Sequence, residues 1–243
     1  GFFVARAGLG ASESMRSKLA EYNDPRLSRA FITKQGTSGK EQAPGTADNA
    51  VYAPNGTPEQ GTSKYGTSLF MYSISAPTLL LSYHELKFLE AEALCRLERD
   101  AKSALKDAVV AGLLNAENSF TISRKELGKT LINAASSITE AEAESYFDNT
   151  IEAKYTAEPL KTTMTQKYFA LWGASGEATE SYNDVRRMKG LGENFIELKN
   201  PNSFPLRCPY GNSDTTTNAE VKAAYGNGQY VYSENVWWAG GSR

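Results

Sequence analysis

The chain has 243 residues, and its 26 lysines and arginines nearly balance its 28 aspartates and glutamates, for a formal net charge of -2. A surface so balanced provides no strong field to gather DNA or RNA, so we expect no nucleic-acid binding. The mean hydropathy is -0.46, and no run approaches the ~18–20 apolar residues of a membrane-spanning helix.

Histidine and cysteine are too few for the usual zinc sites. The chain has one histidine, His84, and two cysteines, Cys95 and Cys208, which allow at most one internal disulfide. His84 falls in the first turn of a predicted helix, where we expect a surface or boundary residue and not a member of a catalytic triad. We therefore expect no metal, no cofactor and no catalytic residue.

The first third of the chain predicts one short helix and a long loop. Residues 1–6 show neither an initiator methionine nor the regions of a signal peptide, so we interpret the start as lying inside a longer protein. Apolar residues three and four apart predict a helix over Ser12–Tyr22, which ends before Pro25. From Gln35 to Thr67 the composition becomes small and polar without apolar periodicity, which predicts a long irregular loop.

A helical hairpin is predicted next. Ser82 and Glu85 form a capping box, in which the Ser82 hydroxyl accepts from the Glu85 N–H and the Glu85 carboxylate accepts from the Ser82 N–H. This helix is predicted to run to about Arg99 and to be buried over much of its circumference. Its apolar stripe contains Leu86, Leu89, Ala93 and Leu97, widened by Phe88, Ala91 and Cys95. Asp100 is predicted to cap the second helix of the hairpin, whose small residues allow close packing.

Three further helices and an irregular tail complete the prediction. Thr139 opens a second capping box and a helix to about Tyr155, and Pro159 stands in the first turn of the next helix. The last two helices carry apolar stripes that include Trp172 and Tyr182, which we expect to pack in the core. From Gly190 onward Gly, Pro and Asn dominate, so we expect no regular structure except a short strand near 230–232.

Several segments of the chain carry motifs in a fixed order. Residues 24–27 read D-P-R-L, residues 80–93 read L-L-S-Y-H-E-L-K-F-L-E-A-E-A, and residues 166–171 read Q-K-Y-F-A-L. Residues 182–187 read Y-N-D-V-R-R, residues 204–210 read F-P-L-R-C-P-Y, and residues 236–238 read V-W-W. The order and spacing of these motifs resemble those of SusD/RagB-type proteins, over about residues 22–238.

The resemblance implies an all-α fold of tetratricopeptide-like helix pairs with long irregular loops and an irregular carboxy-terminal segment. The chain would then be one domain, 1–243, with a long loop at 35–67, a helical core at 82–190 and an irregular tail at 191–243. It would form the carboxy-terminal part of the family protein.

The resemblance also implies a function without catalysis. Such proteins are outer-membrane lipoproteins of the cell surface that bind an oligosaccharide or a peptide and pass it to a SusC-like TonB-dependent transporter. Membrane attachment would come only from a lipid anchor in the amino-terminal part outside this chain. In the motifs, we interpret Arg186 and Arg187 as structural partners of Asp184 or other carboxylates and not as holders of an anionic substrate.

Residues beside the predicted loop are the candidate ligand-binding residues. A sugar needs aromatic faces for its apolar side and amides or carboxylates for its hydroxyls, displayed on loops above a rigid scaffold. The candidates that meet this description are Tyr52, Tyr65, Phe70, Tyr72, Asn49 and Asn55.

Three alternatives remain open on the sequence. The ligand could be a peptide, or the chain could be a tetratricopeptide-like scaffold that grips only a protein partner. A glycosidase with paired carboxylates is the third, and the spacing of Glu140, Glu142 and Glu144, typical of a solvated helix face, disfavours it.

Overall fold

The computed structural model describes residues 10–35, 40–42, 52–55, 65–127, 131–132, 136–199 and 203–241. The chain divides into two compact units, Gly1–Leu198 and Lys199–Arg243. Whether the two units form the single expected domain stays a prediction.

Helices dominate the first unit, which confirms the predicted all-α class. They are α1 (Glu13–Glu21), α2 (Tyr83–Arg96), α3 (Lys102–Leu127), α4 (Glu140–Tyr146), α5 (Glu152–Ala157), α6 (Pro159–Leu171) and α7 (Glu180–Gly190). The predicted α2–α3 hairpin is confirmed, and α6 packs against both of its helices. α2 ends at Arg96, a few residues before the predicted end, and Glu98 takes a positive φ of 55° just beyond it.

The helix predicted from Thr139 to about Tyr155 is confirmed, but it contains one widened turn. A π-helical turn, Phe147–Ile151, separates α4 from α5. At its start the Asn149 side chain donates to the Ser145 carbonyl oxygen at 2.9 Å, so a side chain shares an acceptor of the helix backbone. Such a local competitor accompanies the widened turn, which the apolar pattern did not reveal.

The three side chains predicted to cap helix starts are confirmed as caps, and the reciprocal half of the Thr139 capping box stays a prediction. The Ser82 and Thr139 hydroxyls accept from the third helical N–H at 3.1 and 3.2 Å, and Asp100 Oδ1 accepts from the Lys102 N–H at 3.0 Å. The reciprocal half of the Ser82 capping box is wrong, because the Ser82 N–H donates to Glu177 and not to Glu85. The start of α2 is therefore fastened to the turn that precedes α7, which a pattern of four residues could not predict.

The core of the first unit lies between α2, α3 and α6. Its largest buried side chains include Phe88, Phe120, Phe147 and Phe169. A β-carbon added at Gly112 of α3 would come within 2.9 Å of the Ala170 side chain of α6. The two helices therefore approach as closely as small residues allow, which keeps the core dense.

The predicted burial of the α2 stripe is confirmed only in part. Phe88 and Ala91 are buried, as predicted, whereas Leu86, Leu89 and Leu97 are exposed. Both faces of this helix carry apolar residues, so periodicity could not decide which of them meets the core. In α7 the prediction for Tyr182 is also wrong, because this side chain is 36% exposed.

A small sheet crosses the region predicted as loop. Its strands are β1 (Phe31–Gln35), β2 (Lys40–Gln42), β3 (Thr67–Ser68) and β4 (Leu131–Ile132), in the order β3-β1-β2-β4. β1 pairs antiparallel with β2 and β3, and β2 pairs parallel with β4. The predicted irregular loop 35–67 is thus wrong at its two ends, and most of its middle lies outside the described residues.

The second unit is not the irregular tail that the sequence predicted. It contains α8 (Asn212–Thr217), α9 (Ala219–Tyr225) and a 3-10 turn, Trp237–Ala239. Asn218 caps α9, since its Oδ1 accepts from the N–H groups of Glu220 and Val221 at 3.0 and 3.3 Å. The strand predicted near 230–232 is a turn, where the Val231 carbonyl accepts from the Leu206 N–H at 2.8 Å.

Candidate functional site

Two of the predicted ligand residues, Tyr52 and Asn55, lie beside the first turns of α1. Asn55 Oδ1 accepts from the Ser12 hydroxyl at 2.9 Å, and the Arg16 guanidinium lies 5.4 Å from the centre of the Tyr52 ring. All four side chains are half-buried. We call Ser12, Arg16, Tyr52 and Asn55 the Tyr52 patch.

The polar atoms of the Tyr52 patch are not all satisfied. Among the described residues, no hydrogen bond of good geometry reaches the Tyr52 hydroxyl or Arg16 Nε, although both atoms lie below the surface and the Arg16 guanidinium interacts with the hydroxyl. Burial raises the pKa of Tyr52 despite the nearby Arg16 guanidinium, so the hydroxyl is a neutral donor and acceptor. A buried group without a partner is costly, and polar ligand groups that reached it would recover that cost.

The Tyr52 ring packs against aromatic side chains of the core. It meets Phe31 of β1 edge to face, with 5.2 Å between ring centres, and Phe31 in turn packs against Trp172 at 5.4 Å. This aromatic stack fixes the orientation of the Tyr52 ring at the edge of the unit. A rigid ring loses little conformational entropy when a ligand packs on it.

The other aromatic candidates divide into buried and half-buried side chains. Tyr65 and Phe70 are each only 8% exposed, and Phe70 packs against Phe120 and Trp172 at 4.8 and 5.0 Å between ring centres. Their ring faces are therefore occupied by the protein. Tyr72 is half-buried at the end of the 3-10 turn Leu69–Tyr72. Asn49 lies outside the described residues.

The charged residues of the Q-K-Y and N-D-V-R-R motifs form one ion network between α2, α6 and α7. Lys167 Nζ lies 2.8 Å from Asp184 Oδ2, and Arg187 joins Asp184 to Glu92. Arg96 extends the network from Glu92, at 2.7 Å, towards Glu193. Burial opposes ionisation of Glu92, but hydrogen bonds from Arg187 and Arg96 outweigh it and lower the pKa of Glu92.

This network confirms the structural interpretation of Arg187. Its guanidinium bridges two carboxylates from different helices, so its donors are engaged within the protein. A cleft of about 500 Å³ opens above the network between α2 and α7, and Leu89 and Ala93 form its apolar part. The charged side chains that line the cleft form ion pairs mainly with one another.

The buried ion pair of Asp24 and Arg26 connects the D-P-R-L turn to α6. Arg26 Nε and a terminal nitrogen donate to the two Asp24 oxygens at 2.8 and 2.6 Å, and its other terminal nitrogen donates to the Phe169 carbonyl at 2.7 Å. The Tyr146 hydroxyl donates to Asp24 Oδ2 at 3.3 Å, and Gln166 donates to that hydroxyl at 3.5 Å. Two motif segments and Tyr146 of α4 thus converge on one polar cluster within the core.

A titratable cluster surrounds the start of α2, and sequence reasoning missed it. His84 is buried, contrary to the prediction of a surface or boundary residue, and its Nε2 lies 3.6 Å from Glu177 Oε2. Burial lowers the pKa of His84, which keeps the imidazole neutral. Burial and the hydrogen bond with Glu177 raise the pKa of Glu85 to about 7, against the opposing effect of Lys167. The only sequence signal for this cluster was the position of His84 and Glu85 within the predicted capping box.

Within the described residues, the remaining features concern metal ligands, cysteines and membrane-spanning helices. No three His, Cys, Asp or Glu side chains within them converge as metal ligands would. The two cysteines are free thiols, and the Cys95 sulfur lies 3.6 Å from the Thr163 hydroxyl. None of the described helices combines the length and the apolar character that a bilayer span requires.

The second unit carries its own aromatic cluster. Tyr210 and Tyr225 stack with 4.3 Å between ring centres, and the Arg207 guanidinium lies 4.6 Å from the Tyr210 ring centre. Trp237 and Trp238 are exposed in the 3-10 turn near its end.

Comparison with known proteins adds a family and a solved structure. A SusD-like family model described as "Starch-binding associating with outer membrane" matches residues 3–210. A crystal structure of a SusD/RagB family protein from Bacteroides thetaiotaomicron is 65% identical and superimposes with a TM-score of 0.91. That match covers 100% of this chain and 52% of the solved chain, so this chain spans about half the length of that protein. No curated protein matches the chain significantly.

Proposed function

Because the chain belongs to the SusD/RagB-like family of outer-membrane-associated starch-binding proteins, we propose that it captures an oligosaccharide without altering it. The helical unit acts as a rigid platform, and the ligand binds at its edge. This role includes the neighbouring part of the longer protein, of which this chain spans about half by comparison with the solved relative.

The Tyr52 patch is the observation that carries the proposal. It combines an aromatic ring, a hydroxyl, an amide and a guanidinium, which are the groups that bind the apolar face and the hydroxyls of a sugar. Asn55 uses its oxygen to accept from Ser12, so its amide nitrogen remains a donor for a ligand. The Tyr52 hydroxyl and Arg16 Nε, which form no well-aligned hydrogen bond with a described residue, add two further polar positions.

The charged residues support binding in preference to hydrolysis. A glycosidase needs two carboxyl groups that face a common space about 5–10 Å apart. The buried carboxylates Asp24 and Glu92 and the half-buried Asp184 instead face arginines or a lysine. Glu85 and Glu177 contact each other near the start of α2, and Glu177 accepts from the Ser82 N–H.

We propose the outer membrane of the cell surface as the location and a SusC-like TonB-dependent transporter as the partner. The family description supports the membrane association. A lipid anchor would lie in polypeptide outside this chain. A transporter gene adjacent to the gene for this protein, with glycosidases or peptidases beside it, would support the partner and indicate the class of ligand.

Titration calorimetry with the full-length protein tests the proposal. Oligosaccharides from several polysaccharide classes and a set of peptides are titrated into the wild type. Tyr52→Ala is expected to weaken binding of the recognised glycan by roughly 1 kcal/mol, about fivefold in Kd, because the stacking surface is lost. Tyr52→Phe separates the contribution of the ring from that of the hydroxyl.

Tyr232→Ala is the matched control, since Tyr232 is an exposed tyrosine of the second unit. It should leave the affinity unchanged. A response to peptides alone would favour the peptide-binding alternative, and no response to either class would favour the scaffold. Equal affinities for Tyr52→Ala and the wild type would exclude the Tyr52 patch as the site.

A further inference from the structure

Two buried carboxyl groups contact each other where α2 begins. Glu85 of α2 and Glu177 of the turn that precedes α7 are 7% and 2% exposed, and their side chains are hydrogen-bonded to each other. A hydrogen bond between two carboxyl groups needs a proton on one of them, because an ionised carboxylate only accepts. The contact is therefore favourable only while one proton remains on the pair.

The charged groups around Glu85 do not replace that proton. Lys167 of α6 faces Glu85, but its Nζ lies 2.8 Å from Asp184, which engages the same positive charge. Glu180 of α7 also faces Glu85 and adds a negative charge. The other charged side chains of the neighbouring cleft pair with one another: Glu92, Arg96 and Arg187. The surroundings therefore oppose ionisation of both carboxyl groups.

The imidazole of His84 does not replace the proton either. Its Nε2 lies 3.6 Å from Glu177 Oε2, beyond the length of a hydrogen bond. Burial lowers the pKa of His84, and Arg26 of the D-P-R-L turn acts in the same direction against the effect of Glu177. The imidazole is therefore neutral near pH 7, and the charge of the cluster depends on the carboxyl pair.

Glu177 also connects α2 to the turn that precedes α7. One of its oxygens accepts from the Ser82 N–H, and the Ser175 carbonyl accepts from the Leu79 N–H at 2.6 Å. The side chains of residues 80–81, between these two hydrogen bonds, are 92% and 65% exposed. The segment that leads into α2 thus has few packing contacts of its own, and its position depends on these two hydrogen bonds.

We propose that Glu85 and Glu177 share one proton and form a pH-sensitive switch between the start of α2 and the turn that precedes α7. With the proton in place, the pair keeps residues 79–82 against the turn. When the proton leaves to solvent, two buried carboxylates repel each other and this segment opens locally, while the core of α2, α3 and α6 stays folded. The opening occurs near neutral pH, because burial and Glu177 raise the pKa of Glu85 to about 7. The switch does not depend on what the Tyr52 patch binds.

Hydrogen exchange of the full-length protein, followed by mass spectrometry between about pH 5 and pH 8, tests the switch. After correction for the intrinsic exchange rate at each pH, peptides that contain Leu79 and Ser82 should lose protection about tenfold or more as the pH rises. Glu85→Gln should make this protection independent of pH, because glutamine can still donate to Glu177 and carries no charge. A role in packing alone would instead lower the protection equally at every pH.

Glu90→Gln is the matched control, because Glu90 is an exposed carboxylate of the same helix, and it should retain the pH dependence of the wild type. Peptides of α3 that contain Leu105 and Leu113, both fully buried, are the internal reference. They should stay more protected than residues 79–82 at pH 8. Equal protection of the two regions would show that the segment opens only by global unfolding, which overturns the local switch.

Infrared difference spectra measure the shared proton directly. A protonated carboxyl group should be present at about pH 6, disappear by about pH 8 and be missing in Glu85→Gln. Absence of this group in the wild type, constant protection of residues 79–82 across the pH range, or an unaltered pH dependence in Glu85→Gln overturns the proposal. Glu177→Gln keeps an acceptor for the Ser82 N–H and should also abolish the pH dependence, so it provides a second variant if Glu85→Gln is poorly folded by circular dichroism.

Discussion

Replacing Arg26 with methionine should destabilise the helical unit by several kcal/mol. Arg26 is 2% exposed, and the side chain of its partner Asp24 is fully buried. The variant leaves the Asp24 carboxylate with the Arg26 N–H at 2.9 Å and the Tyr146 hydroxyl at 3.3 Å, but without a cation. It also removes the donor that the Phe169 carbonyl receives at 2.7 Å.

The magnitude follows from the charge that remains buried. Breaking a buried ion pair by removing one partner costs about 3–5 kcal/mol. For a unit of this size each kcal/mol lowers the Tm by about 2–4 °C, so we expect a decrease of roughly 6–20 °C. Asp24→Asn/Arg26→Met removes both charges and should be more stable than Arg26→Met alone.

Urea unfolding followed by circular dichroism measures these differences. Arg99→Met is the control, because Arg99 is an exposed arginine, and it should change the free energy of unfolding by less than about 0.5 kcal/mol. The reasoning is refuted if Arg26→Met costs less than about 1 kcal/mol, or if the double variant shows no coupling between the two positions.

Three further variants test the α2 carboxylates and one turn. Glu85 has a pKa of about 7 in the fold against 4.5 in the unfolded chain, so its ionisation reduces the stability of the fold progressively from pH 4.5 to 7. Glu85→Gln should remove this loss of stability, because glutamine does not ionise. Glu92 has a lowered pKa, so its contribution is present above pH 4.5 and is lost as the pH falls below it, and Glu92→Gln should abolish that dependence. Gly173→Ala should cost at least about 2 kcal/mol, because φ is 80° there and a β-carbon would collide with the Phe70 ring.

Each of these variants has a matched control measured by urea unfolding across about pH 2 to 8, which includes the acid range in which the Glu92 contribution is lost. Glu98→Gln, an exposed carboxylate just after α2, should leave the pH dependence unchanged. Gly190→Ala should be neutral or slightly stabilising, because no atom lies near the added β-carbon and its φ is not positive. Parallel pH profiles for Glu85→Gln and the wild type, or a neutral Gly173→Ala, would contradict the structural explanation.

The helix starts could be predicted because their causes are local. A cap joins a side chain to an N–H two or three residues away, as at Ser82 and Thr139, so four letters of sequence contain the whole interaction. The short range of these interactions also explains why the prediction for the Ser82 N–H is wrong. This N–H donates to Glu177, which is 95 residues away, and no local pattern contains that partner.

The candidate site was predicted at the level of composition only. Tyr52 and Asn55 lie beside α1 with unsatisfied polar atoms near them, whereas the ring faces of Tyr65 and Phe70 are covered by the protein. All these residues share the same sequence context, a polar loop with interspersed aromatic residues. Exposure separates them, and exposure depends on which distant residues pack on each ring.

The amino-acid order alone determined the helical class, the caps of α2 to α4 and the motif order that indicates the family. These features depend on hydrogen bonds and apolar spacing within a few residues. Only the tertiary structure decided which face of α2 is buried, that His84 lies in the interior, and that Glu177 contacts Glu85 and contributes to its raised pKa. The reason is physical: burial and pKa are set by neighbours that the chain brings together from far apart, and local periodicity carries no information about their identity.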